Sequence, residues 1–206
     1  MASISSLSNS IIKAIDFSIV TSAEIASLTS AQISVLSNAQ ISAITTSAIS
    51  SISTAAIANL STAQMYALIT SQIAYLSTSQ AAALTSAQVN AIGATNIATM
   101  ETADIAALST AGVAGLSTAE MVALTTDQLV GLSTAQAAAL TSAQASVITG
   151  AKLATMETAD IAALSTAAVA SLTTSQITSL STDQLASLTT IQAAALTTAQ
   201  IQALIS

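Results

Sequence analysis

From Thr21 to Leu204 a large aliphatic residue recurs at every eighth position, and a second stands three places before it. This spacing divides 184 residues into 23 octads without insertion or deletion. With positions numbered 1 to 8, the last complete unit is Thr197-Thr198-Ala199-Gln200-Ile201-Gln202-Ala203-Leu204. Position 8 is Leu, Ile or Met in all 23 units, and position 5 is Ile, Val, Leu or Met except for Ala at 81, 137, 145 and 193. Position 1 is Ser or Thr in 19 units, the exceptions being Ile69, Gly93, Glu101 and Glu157. Position 4 is Gln in 13 units and an acid in four: Glu24, Asp104, Glu120 and Asp160.

One continuous helix does not fit this period. At about 100° per residue, eight residues advance about 800°, so the aliphatic stripe would drift about 80° per octad and no fixed apolar face would survive. The chain must turn in every unit. Positions 5 and 8 share a helical face. Positions 1 and 4 spell Ser/Thr-x-x-Gln/Glu in 14 units, the signature of a capping box at a helix start. Ala, Leu and Gln between the caps are good helix formers. The pattern predicts an all-α solenoid or superhelix of very short capped helices, one per octapeptide. The alternative is a β-solenoid with one octad per face. It would place positions 5 and 8 on opposite sides of a straight strand, and its Ala content is poor for strands. Against the helical reading stands the lack of Gly or Asn where the helices would end. An eight-residue unit is too short to be helical alone, so fragments of two or three octads are expected to be unstructured.

A longer echo lies over the octads. Residues 77–116 and 133–172 align at an offset of 56, seven octads, with "ATMETADIAALSTA" in both. It reads either as a recent duplication or as seven octads completing a whole number of superhelical turns. Residues 1–20 fit the period poorly, and Phe17 and Lys13 have no later counterpart, which marks this segment as a divergent N-terminal cap or docking arm before the solenoid of 21–204.

Composition narrows the function. Charged residues are 5%, aromatic residues 1% and mean hydropathy is +0.77, so this is a chain that must bury surface rather than a disordered one. Two lysines, no Arg and a net charge of −7 argue against nucleic-acid and anionic-membrane partners. Every octad is interrupted by hydroxyls, so no membrane-inserting stretch is expected. The segment "SIIKAIDFSIV" lacks a basic leader and carries Asp16, which makes it a poor secretory signal. Without Cys no disulfide can form, and without His, Cys or Arg most nucleophile–base pairs, metal clusters and phosphate clamps are missing. No enzyme activity and no cofactor are expected. Lys152, near Glu157 and Asp160, reads as a surface charge rather than the base of a Ser–Lys pair. Glu101/Asp104 and Glu157/Asp160, in identical "ETADIAAL" octads, could hold a hard cation. Equally, they are acids placed at helix starts by the macrodipole. Tyr66 and Tyr75 are expected to pack as a pair on adjacent turns, or else to form a contact patch. The hydroxyl rows at positions 1 and 2 suggest ice binding only weakly, since capping already accounts for position 1.

The phrases "LTTAQIQAL", "LSTAQAAALTSAQ" and "LSTAEMVALTTDQLVGLSTAQ" resemble the octapeptide arrays of large repetitive bacterial surface and secreted proteins. The resemblance covers residues 21–204. It implies a structural or adhesive role outside the cell, by an unspecified secretion route, and brings no catalytic residues. The resulting expectation is a structural protein whose copies join head-to-tail into a filament or surface layer. Phe17, Tyr66, Tyr75, Ile201, Leu204 and Ile205 are its packing and assembly residues. A monomeric spacer or adhesin-like scaffold, with a surface anchor or carbohydrate as possible partner, is the alternative.

Overall fold

The computed structural model describes residues 4–206. Among these every regular element is helical. A 3-10 turn at Ile4–Ser6 and a helix at Asn9–Ile12 come first; then each octad carries one helix, from Ser22–Ser27 to Thr198–Ile205. The β-solenoid alternative is set aside.

Each helix spans four to eight residues from position 2, and the octad boundary supplies the turn. Position 1 is extended, as at Thr197 (φ −70°, ψ 157°), and position 8 is extended at Leu28 (φ −61°, ψ 131°) and Leu172 (φ −62°, ψ 138°). Two consecutive extended residues redirect the chain before the next helix. All fourteen octads that spell the capping box form it: the hydroxyl accepts from the position-4 amide, and the position-4 side chain accepts from the cap amide. At Ile69, which has no hydroxyl, only the return bond survives, from the Ile69 amide to Gln72 at 2.9 Å.

Side chains at positions 5 and 8 fill one continuous core. Ile41, Ile73, Ile105 and Ile161 are 0% exposed, and Leu76, Leu108 and Leu164 about as dry. Each helix packs against the helix three octads on, as in Ser86–Ile92 with Thr110–Gly115 and Ser142–Val147 with Thr166–Ser171. Hydrogen bonds between turns join residues 25 to 31 apart in sequence, with 28 the recurrent separation. One turn is therefore about 28 residues, or three and a half octads. Two turns take seven octads, the 56-residue offset of the sequence echo, so the two ETADIAAL units lie on the same side of the solenoid.

Successive turns come closest where position 7 of one octad meets position 2 of the octad three before it. A Cβ on Gly115 would lie 2.7 Å from the Ser86 carbonyl oxygen, and one on Gly131 would lie 2.7 Å from the Thr102 methyl. Position 7 is Ala, Gly or Ser in 17 of the 23 octads, which suits this contact. The molecule exposes 8870 Å². A compact monomer of this mass exposes about 8,800 Å², so the solenoid is a stout rod rather than an extended thread.

Candidate functional site

Position 4 carries the functional chemistry of the fold. Its Gln Oε1 accepts from the cap amide of its own octad, as in Ser61 N to Gln64 at 2.9 Å. Its Nε2 donates in the opposite direction, to the turn below. Gln64 reaches the carbonyls of Ile33 and Leu36, both at 2.9 Å, and Gln88 those of Ile57 and Leu60, both at 2.8 Å. All thirteen position-4 glutamines donate to the carbonyl 28 residues earlier. That carbonyl belongs to position 8 from octad 29–36 onward, where the preceding helix has ended. One amide thus caps the start of its own helix and the end of another four octads back. This explains how the helices end without a left-handed residue: no non-glycine residue among those described has positive φ. Orphan carbonyls at a helix end need a partner, and here another turn supplies it.

Of the ten octads without Gln at position 4, those of Lys152 and Glu120 keep a bond from this side chain to the main chain of another turn. Lys152 occupies position 4 and donates its ammonium to the carbonyls of Val122, at 3.0 Å, and Leu124. It is a charged rung of the ladder, with its amine already bound to main chain. Glu120 can only accept, and the backbone beneath it is reversed to suit. Gly93 adopts φ 81° and ψ 155°, and its N–H donates to Glu120 Oε1 at 2.9 Å. The displaced Ile92 carbonyl accepts instead from the Asn96 side chain at 3.0 Å. Only glycine visits this backbone region without strain. Gly93 is therefore the partner of Glu120.

Asp104 and Asp160 also sit at position 4, each 2% exposed, with side chains too short and of the wrong polarity for the ladder. The Thr78 hydroxyl donates to Asp104 Oδ1 at 2.9 Å. Burial pushes the Asp104 carboxyl above the usual carboxylate range and the charge of Glu101 adds to this, while the Thr78 bond opposes it. Asp16 and Glu24, at the other end, are held below that range: Asp16 by the hydroxyl and amide of Ser18, Glu24 by the amide and hydroxyl of Thr21. A carboxyl whose folded pKa is raised binds its proton more readily in the native state, so stability grows as pH falls. Asp104→Asn should therefore be more stable than the parent at pH 7 in the presence of a chelator. The advantage should shrink as pH drops through the folded pKa of Asp104 and be lost below the unfolded value near 3.8. Asp16 and Glu24 titrate in both proteins and cancel in the comparison. Thermal melts of the two proteins from pH 7 to 3.5 measure the difference; a constant gap would contradict it.

The residues singled out for assembly fall into three groups. Phe17 is 1% exposed and belongs to the core of the first turn, so it is a packing residue and not a free docking side chain. Tyr66 and Tyr75 are 79% and 57% exposed. They do not form the packing pair expected from sequence, because both side chains project to solvent. Each lines a separate cleft, Tyr66 beside Gly93 and Asn96, Tyr75 beside Glu101 and Asp104. Ile201 and Ile205 are 45% and 79% exposed, and Leu204 is half-buried, on the last turn. The first turn meets Gln32 and Gln40, whose amides donate to the carbonyls of Ile4 and Ile12, so segment 4–20 is stacked as part of the solenoid. Among the described residues no helix is long and apolar enough to cross a membrane.

These features define an all-helical solenoid of octapeptide units tied turn to turn by position-4 side chains. The chain is similar to a known repeat family: the family described as the ALTTAQ repeat matches residues 97–134 and 153–190. The two matches are again 56 residues apart, and each contains one ETADIAAL octad. No curated protein matches the chain.

Proposed function

We propose that the protein is a structural element outside the cell that joins head-to-tail into filaments or a surface layer and carries out no catalysis. The observation that supports this reading is that successive turns are joined through one repeated interface, with a continuous core and the same rungs recurring along the rod. Leu185, Leu188, Leu196 and Leu204 are only partly buried, with Ile201 and Ile205 beside them, and Ile4, Leu7, Ile15, Ile19, Val20 and Glu24 line a recess on the first turn. A contact between unlike ends propagates instead of closing, and a charge content of 5% offers little lateral repulsion. The location rests on the resemblance to repetitive surface proteins.

A second reading, a monomeric spacer, is favoured by one feature. Asp16 and Glu24 stand at position 4 in the first turns, and their carboxylates are tied to Ser18 and Thr21. A joint formed there would lack glutamine rungs and would rest on aliphatic contact alone. Sedimentation velocity and negative-stain microscopy over a range of concentrations separate the readings. Assembly predicts rods longer than one protomer that revert to single rods in Ile201→Asp/Ile205→Asp. Single rods for the parent at every concentration leave the spacer.

A further inference from the structure

Four consecutive octads, those of Asn96, Asp104, Gly112 and Glu120, have no glutamine at position 4. Because one turn is three and a half octads, this run removes every glutamine rung from a whole interface, the one between turns 65–92 and 93–120. Elsewhere among the octads the longest such run is three, at Lys152, Asp160 and Ala168, and there Lys152 still reaches the turn below. The bonds that cross between 65–92 and 93–120 are of another kind. The Thr70 hydroxyl donates to Asn96 Oδ1 at 2.8 Å, the Thr78 hydroxyl to Asp104 Oδ1 at 2.9 Å, and the Asn90 side-chain amide to the Gly115 carbonyl at 3.3 Å. The Gly93 N–H donates to Glu120 at 2.9 Å. Those of Thr70 and Asn90 are exposed, so water competes for both partners, whereas the two rungs of Gln88 are buried. Three further features fall on the same interface. Gly93 is the one residue of positive φ among those described. Gly112 and Gly115, poor helix formers, both lie in the Thr110–Gly115 helix that packs there. The clefts of Tyr66 and Tyr75 open between these same two turns. The aliphatic core runs through unbroken, with Leu84, Val89, Ile92 and Ile97 buried, and is left to carry most of the contact.

We propose that this interface is a built-in joint, at which the rod divides into two cooperative blocks, 4–92 and 93–206. In a solenoid stability is a sum of unit and neighbour-interface contributions, so one weak interface splits the unfolding of the whole. Within 4–92 six glutamine rungs tie turn to turn, from Gln32 to Gln88; within 93–206 there are seven, from Gln128 to Gln200, and Lys152. The block 4–92 therefore opens first, and the longer block keeps its fold when the rod parts. The joint is a property of the single rod and stands apart from the assembly reading. The 56-residue echo supplies an internal control: Gly93, Asn96 and Glu120 correspond to Thr149, Lys152 and Gln176, and both Lys152 and Gln176 bond to the turn below. The same background thus occurs once with the interface open and once with two of its rungs in place.

Hydrogen exchange of the full chain, read by mass spectrometry through a urea series, tests this. Peptides from 4–92 should lose protection together, at lower urea than those from 93–206, with the boundary inside 65–120. Copying the counterpart residues in Gly93→Thr/Asn96→Lys/Glu120→Gln should merge the two losses into one. Asn96→Lys alone leaves the Gly93–Glu120 pair in place and should narrow the gap. Ala168→Gln adds a rung away from the joint and should leave the boundary where it is. The proposal is overturned if both blocks lose protection at the same urea concentration in the parent, or if the boundary falls outside 65–120. It is also overturned if the triple variant keeps the parent's separation, or if Ala168→Gln merges the losses. Should the triple variant not fold, Asn96→Lys carries the test, and an unchanged gap there overturns the joint.

Discussion

Gln136→Glu should lower stability by about 3–5 kcal/mol, the range for leaving a buried charge without its partner. The substitution changes a single atom type. Glutamate at 136 can still accept from the Ser133 amide, now bound to Gln136 at 2.8 Å, as Glu120 accepts from Ser117 at 2.7 Å. Only the far end differs: an oxygen replaces the Nε2 that donates to Leu108 at 2.7 Å and Ala106 at 3.0 Å. The capping box therefore stays while the inter-turn bond becomes repulsion. At about 2–4 °C per kcal/mol for a chain of this size, the melting temperature should fall by roughly 6–20 °C. Because contacts in a solenoid are to neighbouring turns only, hydrogen exchange should accelerate mainly near octads 101–108 and 133–140. The natural Glu120–Gly93 pair supplies a rescue. The residue 27 before Gln136 is Ser109, with φ −62°, which cannot adopt the Gly93 conformation. Ser109→Gly should recover part of the loss in Gln136→Glu and should not help the parent. An unchanged melting temperature in Gln136→Glu would show that the ladder contributes nothing.

The second large effect concerns register. If octads are equivalent, deleting one should leave the others able to re-pair, since each position-4 side chain then meets the same carbonyls one unit earlier. Deleting 133–140 does this. Deleting 101–108 does not, because it separates Glu120 from Gly93 and sets the glutamate over the Leu84 carbonyl and Thr85. Thr85 is extended at φ −76° and, being β-branched, is strongly disfavoured at positive φ. The second deletion should be less stable than the first by about 3 kcal/mol, although each removes eight residues. Adding Glu120→Gln to it should erase most of the difference. Urea unfolding of the three proteins measures this. Equal stability of the two deletions would mean that Gly93 and Glu120 are not coupled.

The local half of this architecture is legible in the residues. Ser or Thr at position 1 with Gln or Glu three later marks each helix start, and aliphatics at 5 and 8 mark the buried face. Both follow from contacts within a few residues. Glutamine's second bond is not legible in that way, because its acceptor is main chain 28 residues away and carries no side-chain signature. A faint signal was present all the same. A capping box accepts Glu as readily as Gln, yet position 4 is Gln in 13 units and Glu in two. That preference for an amide points to work for its N–H₂ group, as does Lys at 152. The expected tyrosine pair failed for a related reason: adjacency of octads along the chain says nothing about which side chains meet between turns.

By itself, then, the sequence determined that the chain folds back once per octad, which residues cap and which are buried, because capping and helical periodicity act over one or two turns of backbone. The number of octads per superhelical turn, and with it the partner of every glutamine, was decided only by the tertiary structure. It depends on how closely position 7 can approach position 2 of another turn and on which carbonyls that approach leaves without a donor. Those distances arise from packing between segments far apart in sequence.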